Sequence, residues 1–114
     1  MTRRHRNRPW HRAPKRERPA AEALNGVLHE TAAAILAAAA DDGDAVAGAL
    51  TRGRARLTDL GYGRVEYLDL VDAETLAPLD RAPVPGRPAR LLVAARLGST
   101  RLIDNIPVET RTTA

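Results

Sequence analysis

The 114 residues contain no cysteine, no phenylalanine and one tryptophan. The first absence excludes disulfides, thiolate metal sites and a cysteine nucleophile, and is compatible with a reducing cytosol. The second leaves the core to Leu, Val, Ile and two Tyr, because the hydrophobic fraction of 44% is swelled by alanine and Trp10 sits among arginines. Such a core is modest. No apolar run approaches the ~20 residues that span a bilayer; the longest, Ala32 to Ala40, is alanine-dominated and stops at Asp41. Charged residues recur where a secretory signal would carry its apolar segment, so a soluble cytoplasmic chain without membrane contact is expected. A chain this short is expected to form one domain, so a ligand site is built by one small core or shared with another chain.

Charge is present but unevenly placed. Up to Arg18 there are eight of the 18 Lys and Arg and one of the 14 acids, net +7; the remainder is net −3, within a total of +4. Residues 1–19, MTRRHRNRPWHRAPKRERP, add three prolines and almost nothing apolar, so they read as a basic, extended, disordered arm. Guanidinium groups neutralise phosphates and an indole stacks on a base, so an alternative function is a small polyanion- or nucleic-acid-binding module acting through this arm. The arm has neither a helical period nor a recognised binding module, which argues against specific nucleic-acid binding.

From Ala20 the pattern changes. Leu24, Val27, Leu28, Thr31 and Ile35 mark one helical face in an alanine-rich background, and a helix is expected over 20–40. In ADDGDA, Gly43 is expected to take positive φ and stop that helix, with Asp44 capping the next. Val46, Ala49, Leu50, Gly53, Leu57 and Leu60 then predict a second helix over 45–60, ending at Gly61 and antiparallel to the first. A strand is expected at 64–71, with Val65, Tyr67 and Val71 on one side and Leu68 and Leu70 on the other. The proline-rich stretch 72–88 reads as turn and loop. RLLVAARL predicts a strand at 90–97 buried on both faces, and another follows at 101–106 after a Gly98-Ser99-Thr100 turn. The fold class expected is α+β, two antiparallel helices packed on a small three-stranded, mostly antiparallel sheet. Residues 109–114 are expected to be a disordered tail.

Chemistry-bearing clusters are few. DDGD at 41–44 could suggest calcium, but a 12-residue calcium loop counted from Asp41 ends on Arg52 where a bidentate acid is required, so a linker and cap is the reading. His5 and His11 lie in the arm and His29 has no second ligand one turn away, so no metal site is expected. Ser99 is the one serine, and no histidine or acid can be placed beside it from sequence, so no nucleophilic triad is supported. GYG and LGST lack the spacing of a phosphate loop. The polar run ARLGSTRLIDN at 95–105 is what a hairpin between two apolar strands needs, with Leu97, Leu102 and Ile103 toward the core.

Two longer blocks carry more information. Val65-Glu66-Tyr67-Leu68 leading into Asp72-Ala73-Glu74-Thr75-Leu76, then Leu91 through Asn105, resemble in order and position the last two blocks of the pantothenate synthetase (pantoate–β-alanine ligase) family. The resemblance covers roughly residues 20–108. It implies the C-terminal lid domain of an ATP- and magnesium-dependent, AMP-forming ligase of pantothenate and coenzyme A biosynthesis. That ligase adenylates pantoate, releases pyrophosphate and lets β-alanine displace AMP.

In the family the nucleotide cradle belongs to an N-terminal doubly wound domain, which this chain does not contain. The chain is therefore expected to be a piece of a longer protein beginning in the lid, inactive alone, with a separately encoded N-terminal domain as a possible partner. A Ser-Ser-Arg-Asn segment precedes the lid in the family and meets the ATP phosphates. The corresponding stretch here is Arg4-His5-Arg6-Asn7-Arg8, which replaces both serines and keeps Arg-Asn. The resemblance thus assigns ATP phosphate binding to Arg6, with Asn7 beside it. No catalytic or metal-binding residue is assigned, and ATP and Mg2+ are expected only through the family, without tight binding to this chain.

Overall fold

The computed structural model describes residues 18–38, 42–84 and 86–109. Five elements follow in the expected ααβββ order: α1 (Arg18–Ala37), α2 (Gly43–Asp59), β1 (Arg64–Asp72), β2 (Ala89–Leu97) and β3 (Thr100–Val108). The sheet runs β1-β2-β3 with both pairings antiparallel, α1 packs on β2 and β3, and α2 packs on β1 and on α1. This is the expected α+β class.

α1 begins at Arg18, inside the stretch read as arm, and Pro19 falls in its first turn, where the backbone N–H groups have no helical acceptor in any case. All five residues of its predicted stripe, Leu24, Val27, Leu28, Thr31 and Ile35, are buried. α2 corrects the expected cap. Asp42 Oδ1 accepts the Ala45 N–H at 3.0 Å, while Asp44 lies in the first turn, where its charge faces the positive end of the helix. Gly43 is helical rather than left-handed; the positive-φ glycines are Gly61, Gly86 and Gly98. What Gly43 supplies is room, since a Cβ there would meet the Arg81 guanidinium and the Asp80 carbonyl oxygen. Gly61, at φ 104°, turns the chain out of α2 as expected, and the buried Tyr62 then donates its hydroxyl to the Ala20 carbonyl at 2.6 Å, tying this corner to the start of α1.

The helix-facing side of the sheet carries Leu68 and Leu70 from β1, Ala89, Leu91, Val93 and Ala95 from β2, and Leu102, Ile106 and Val108 from β3. Two expected facings are overturned. A bulge at Glu66 shifts the β1 register, so Val65 pairs with Ala95 on the helix side, together with Leu68 and Leu70, whereas Tyr67 pairs with Ala94 on the far side. Ile103 also pairs with Ala94, away from the helices, because neighbours on a strand point to opposite faces and Leu102 already points inward. Burial of β2 on both faces holds at Ala94 and weakens at Arg90, Leu92 and Arg96, which are half-buried.

The loop from Ala73 to Pro88 folds back along the outer edge of β1. Pro78 bridges Val71, the Leu79 N–H reaches the Leu70 carbonyl at 2.8 Å, and Ala82 and Pro83 are buried. An edge strand that would otherwise present unpaired backbone groups is covered, and proline fits there because it donates nothing.

Candidate functional site

The polar run 95–105 forms the hairpin between β2 and β3. Leu97 pairs with Thr100, so the loop has two residues, Gly98 and Ser99, and Thr100 belongs to β3 rather than to the turn. Only the first of the two has positive φ, 61° at Gly98, the requirement of a tight II′ hairpin turn, which glycine meets without strain. The short turn sets Arg96 directly opposite Arg101. Like charges in that relation destabilise a sheet unless a counter-charge intervenes.

Glu66 supplies it. The bulge presents its carboxylate between the two strands, where Oε1 accepts from Arg101 Nε at 2.7 Å and Oε2 from Arg96 Nε at 2.8 Å. The Glu66 side chain is 21% exposed. Hydrogen bonds from Arg101 and then Arg96 hold its carboxyl below the usual glutamate range. A carboxylate with a depressed folded-state pKa adds stability above its unfolded value, about 4.3, and loses it as pH falls through the folded value. Glu66→Gln should therefore melt below the parent at pH 7, with the gap closing under acid; equal melting temperatures at pH 7 would refute the clamp.

Two further polar groups of the run, Asp104 and Asn105, are also taken internally. Asn105 Oδ1 accepts from Arg90 Nη2 at 2.6 Å, and Asp104 Oδ2 accepts from Asn25 of α1 at 2.9 Å. The block at 72–76 is a turn of the same kind. Asp72 Oδ1 accepts the N–H groups of Glu74 and Thr75, its carboxyl held low by the Thr75 bond first and Glu74 second, while Leu76 sits at φ 65°. Both motif blocks thus use their conspicuous residues to shape backbone.

Arg6 and Asn7 lie outside the described residues, as do His5 and His11. His29 lies exposed on α1. Asp42 and Asp44 border a shallow depression with Asp80 and Arg81, and the Arg81 guanidinium beside Gly43 opposes a cation there. Among the described residues no three His, Asp or Glu side chains converge as metal donors. The sequence reading missed Glu66 as the clamp and the Asn25–Asp104 tie. The first was within reach, since a two-residue turn at Gly98-Ser99 places Arg96 against Arg101 and calls for an acid; the second spans 79 positions and leaves no local trace.

Fold and site together define an α+β domain in which two helices cover one face of a hairpin-closed antiparallel sheet and the motif residues are internally satisfied. The family model described as Pantoate-beta-alanine ligase matches residues 6–107, and the chain belongs to that family. Pantothenate synthetase of Rhizorhabdus wittichii is 48% identical over 93 residues, 82% of this chain and 30% of the relative. The Acidiphilium cryptum pantothenate synthetase is 50% identical over 90 residues, 79% of this chain and 31% of its own length. The crystal structure of pantothenate synthetase from Thermus thermophilus superposes with a TM-score of 0.60 at 31% identity, covering 86% of this chain and 33% of that one. The chain thus spans about three-tenths of the length of the curated relatives named here, 30% and 31%.

Proposed function

We propose that the chain works as the lid of an ATP-dependent ligase joining pantoate to β-alanine, and that alone it performs no chemistry. The observation that carries this reading is internal saturation: Arg96 and Arg101 are held by Glu66, Arg90 by Asn105, and Asp104 by Asn25. Adenylating a carboxylate demands cations on the triphosphate as charge moves onto pyrophosphate, and an oriented pocket for the amine that displaces AMP. Those groups belong to a nucleotide-binding domain that this chain would cover, supplied within a longer protein or as a separate chain. Residues 20–108 form the lid in this reading, flanked by the arm at 1–19 and the tail at 109–114. Arg6, with Asn7 beside it, would reach the ATP phosphates. Magnesium, held in such sites by one or two carboxylates together with substrate phosphates, is assigned to the rest of the assembly with the nucleotide. No described helix is long and apolar enough to cross a membrane, and the cytoplasm is the proposed compartment. A polyanion-binding role for the arm rests on its composition alone.

The purified chain, given ATP, magnesium, pantoate and β-alanine, should release no AMP above a protein-free blank. Adding the nucleotide-binding domain of the Rhizorhabdus wittichii relative as a separate chain should yield pantothenate. In that mixture Arg6→Ala should raise KM for ATP about tenfold or more, the scale of a charge-assisted hydrogen bond of roughly 1.5–3 kcal/mol. AMP formation by the chain alone, or an unchanged KM, would overturn the respective part.

A further inference from the structure

Between α1 and α2 lies an open cleft of about 220 Å3, outside the hairpin and its charge clamp. Its floor is Thr31 against Gly53, where the helices approach so closely that a Cβ on Gly53 would stand 2.8 Å from Thr31 Oγ1 and 3.7 Å from its Cγ2. The hydroxyl, rather than the methyl, therefore faces α2. Thr31 is buried, 5% exposed, and unlike the buried Tyr62 its hydroxyl has no hydrogen-bond partner among the described residues. A buried hydroxyl is costly to leave unpaired, and native interiors seldom do so without a water or ligand. Arg52 and Arg56, one helical turn apart, also line the cleft. Arg56 is only loosely engaged, its Nε 4.0 Å from Glu30 Oε1, and Arg52 has no ion pair among the described residues.

We infer that this cleft binds a small organic monocarboxylate. Its carboxylate accepts from the Thr31 hydroxyl and the Arg52 and Arg56 guanidiniums, and its short apolar body rests on Val27, Ala34 and Ala49. Size allows this, since a cavity of about 150 Å3 already holds benzene. Charge selects it: two arginines against Glu30 leave one net positive charge, which a monoanion neutralises, whereas a phosphate dianion would crowd Glu30. The inference is independent of the lid reading and goes beyond it.

The test uses the full chain, 15N-labelled, titrated with isobutyrate. Saturable shifts are expected at the Thr31 and Gly53 amides, with isobutanol and inorganic phosphate each at least fivefold weaker. Thr31→Val keeps the side-chain shape and removes the hydroxyl, so it should fold with undiminished thermal stability and bind isobutyrate at least fivefold more weakly. Arg52→Gln should weaken binding comparably and does not touch the helix contact. The site is refuted if isobutyrate produces no saturable shift at α1 and α2, or if both variants bind like the parent. Phosphate binding as tightly as isobutyrate would overturn the choice of ligand class.

Discussion

Replacing Leu91 by alanine should cost about 2–5 kcal/mol, the range for deleting a buried leucine whose surroundings cannot collapse into the space. Leu91 is fully buried in the central strand, between Leu70 of β1 and Ile106 of β3, beneath the helices. The core around it has no phenylalanine, and alanine is frequent among its members, so few large side chains can swing into the void. Against a total stability of about 5–15 kcal/mol for an ordinary domain, that loss is a large share. Urea titration of the parent and the variant at pH 7 measures it, and a difference under about 1 kcal/mol would mean that the site relaxes far more than the packing suggests.

The second large effect concerns Gly53. A Cβ there would lie 2.7 Å from Leu68 Cδ2 and 2.8 Å from Thr31 Oγ1, both on buried side chains, so Gly53→Val should destabilise by about 1–3 kcal/mol through overpacking. Gly48, five residues earlier on the same helix, is the control. A Cβ there meets only the Arg52 guanidinium at 3.4 Å, the mobile end of a long side chain. Gly48→Ala should therefore raise stability by up to about 1 kcal/mol, the helix-propensity difference between the two residues. Opposite signs in paired thermal melts confirm the close crossing of α1 and α2; losses of similar size at both positions would count against it.

Most of the architecture was legible in the residues because it rests on periodicity. The α1 stripe was read correctly at all five positions, and Val46, Ala49, Gly53 and Leu57 of α2 are buried as their spacing requires. Leu60 departs, 37% exposed, because it is already the cap residue rather than part of the helical face. The errors fall where two local choices are nearly equal. Asp42 and Asp44 can both cap α2, and only the direction of the chain entering the helix decides between them. The bulge at Glu66 moves Val65 across the sheet, and no residue type announces it, since no glycine marks the position. Ile103 was misplaced for a simpler reason, an adjacent pair of apolar residues assigned to one face against the two-residue period of a strand.

The candidate site divides in the same way. The motif blocks at 65–76 and 91–105 identified the family from sequence, and the bend expected at Gly98-Ser99-Thr100 is a hairpin turn of two residues, Gly98 and Ser99, with Thr100 in β3. Arg6 and Asn7 rest on the resemblance alone.

Order and type of the five elements, the helical core stripes and family membership were determined by local chain chemistry and motif spacing, because each depends on residues near one another in sequence. Which polar groups neutralise which was decided only by tertiary structure: Glu66 between two arginines 30 and 35 positions away, Asn25 on Asp104, and Thr31 beside Gly53 without a partner among the described residues. Hydrogen bonds and charge pairs act over a few ångströms of space, and only the folded chain determines which side chains come that close.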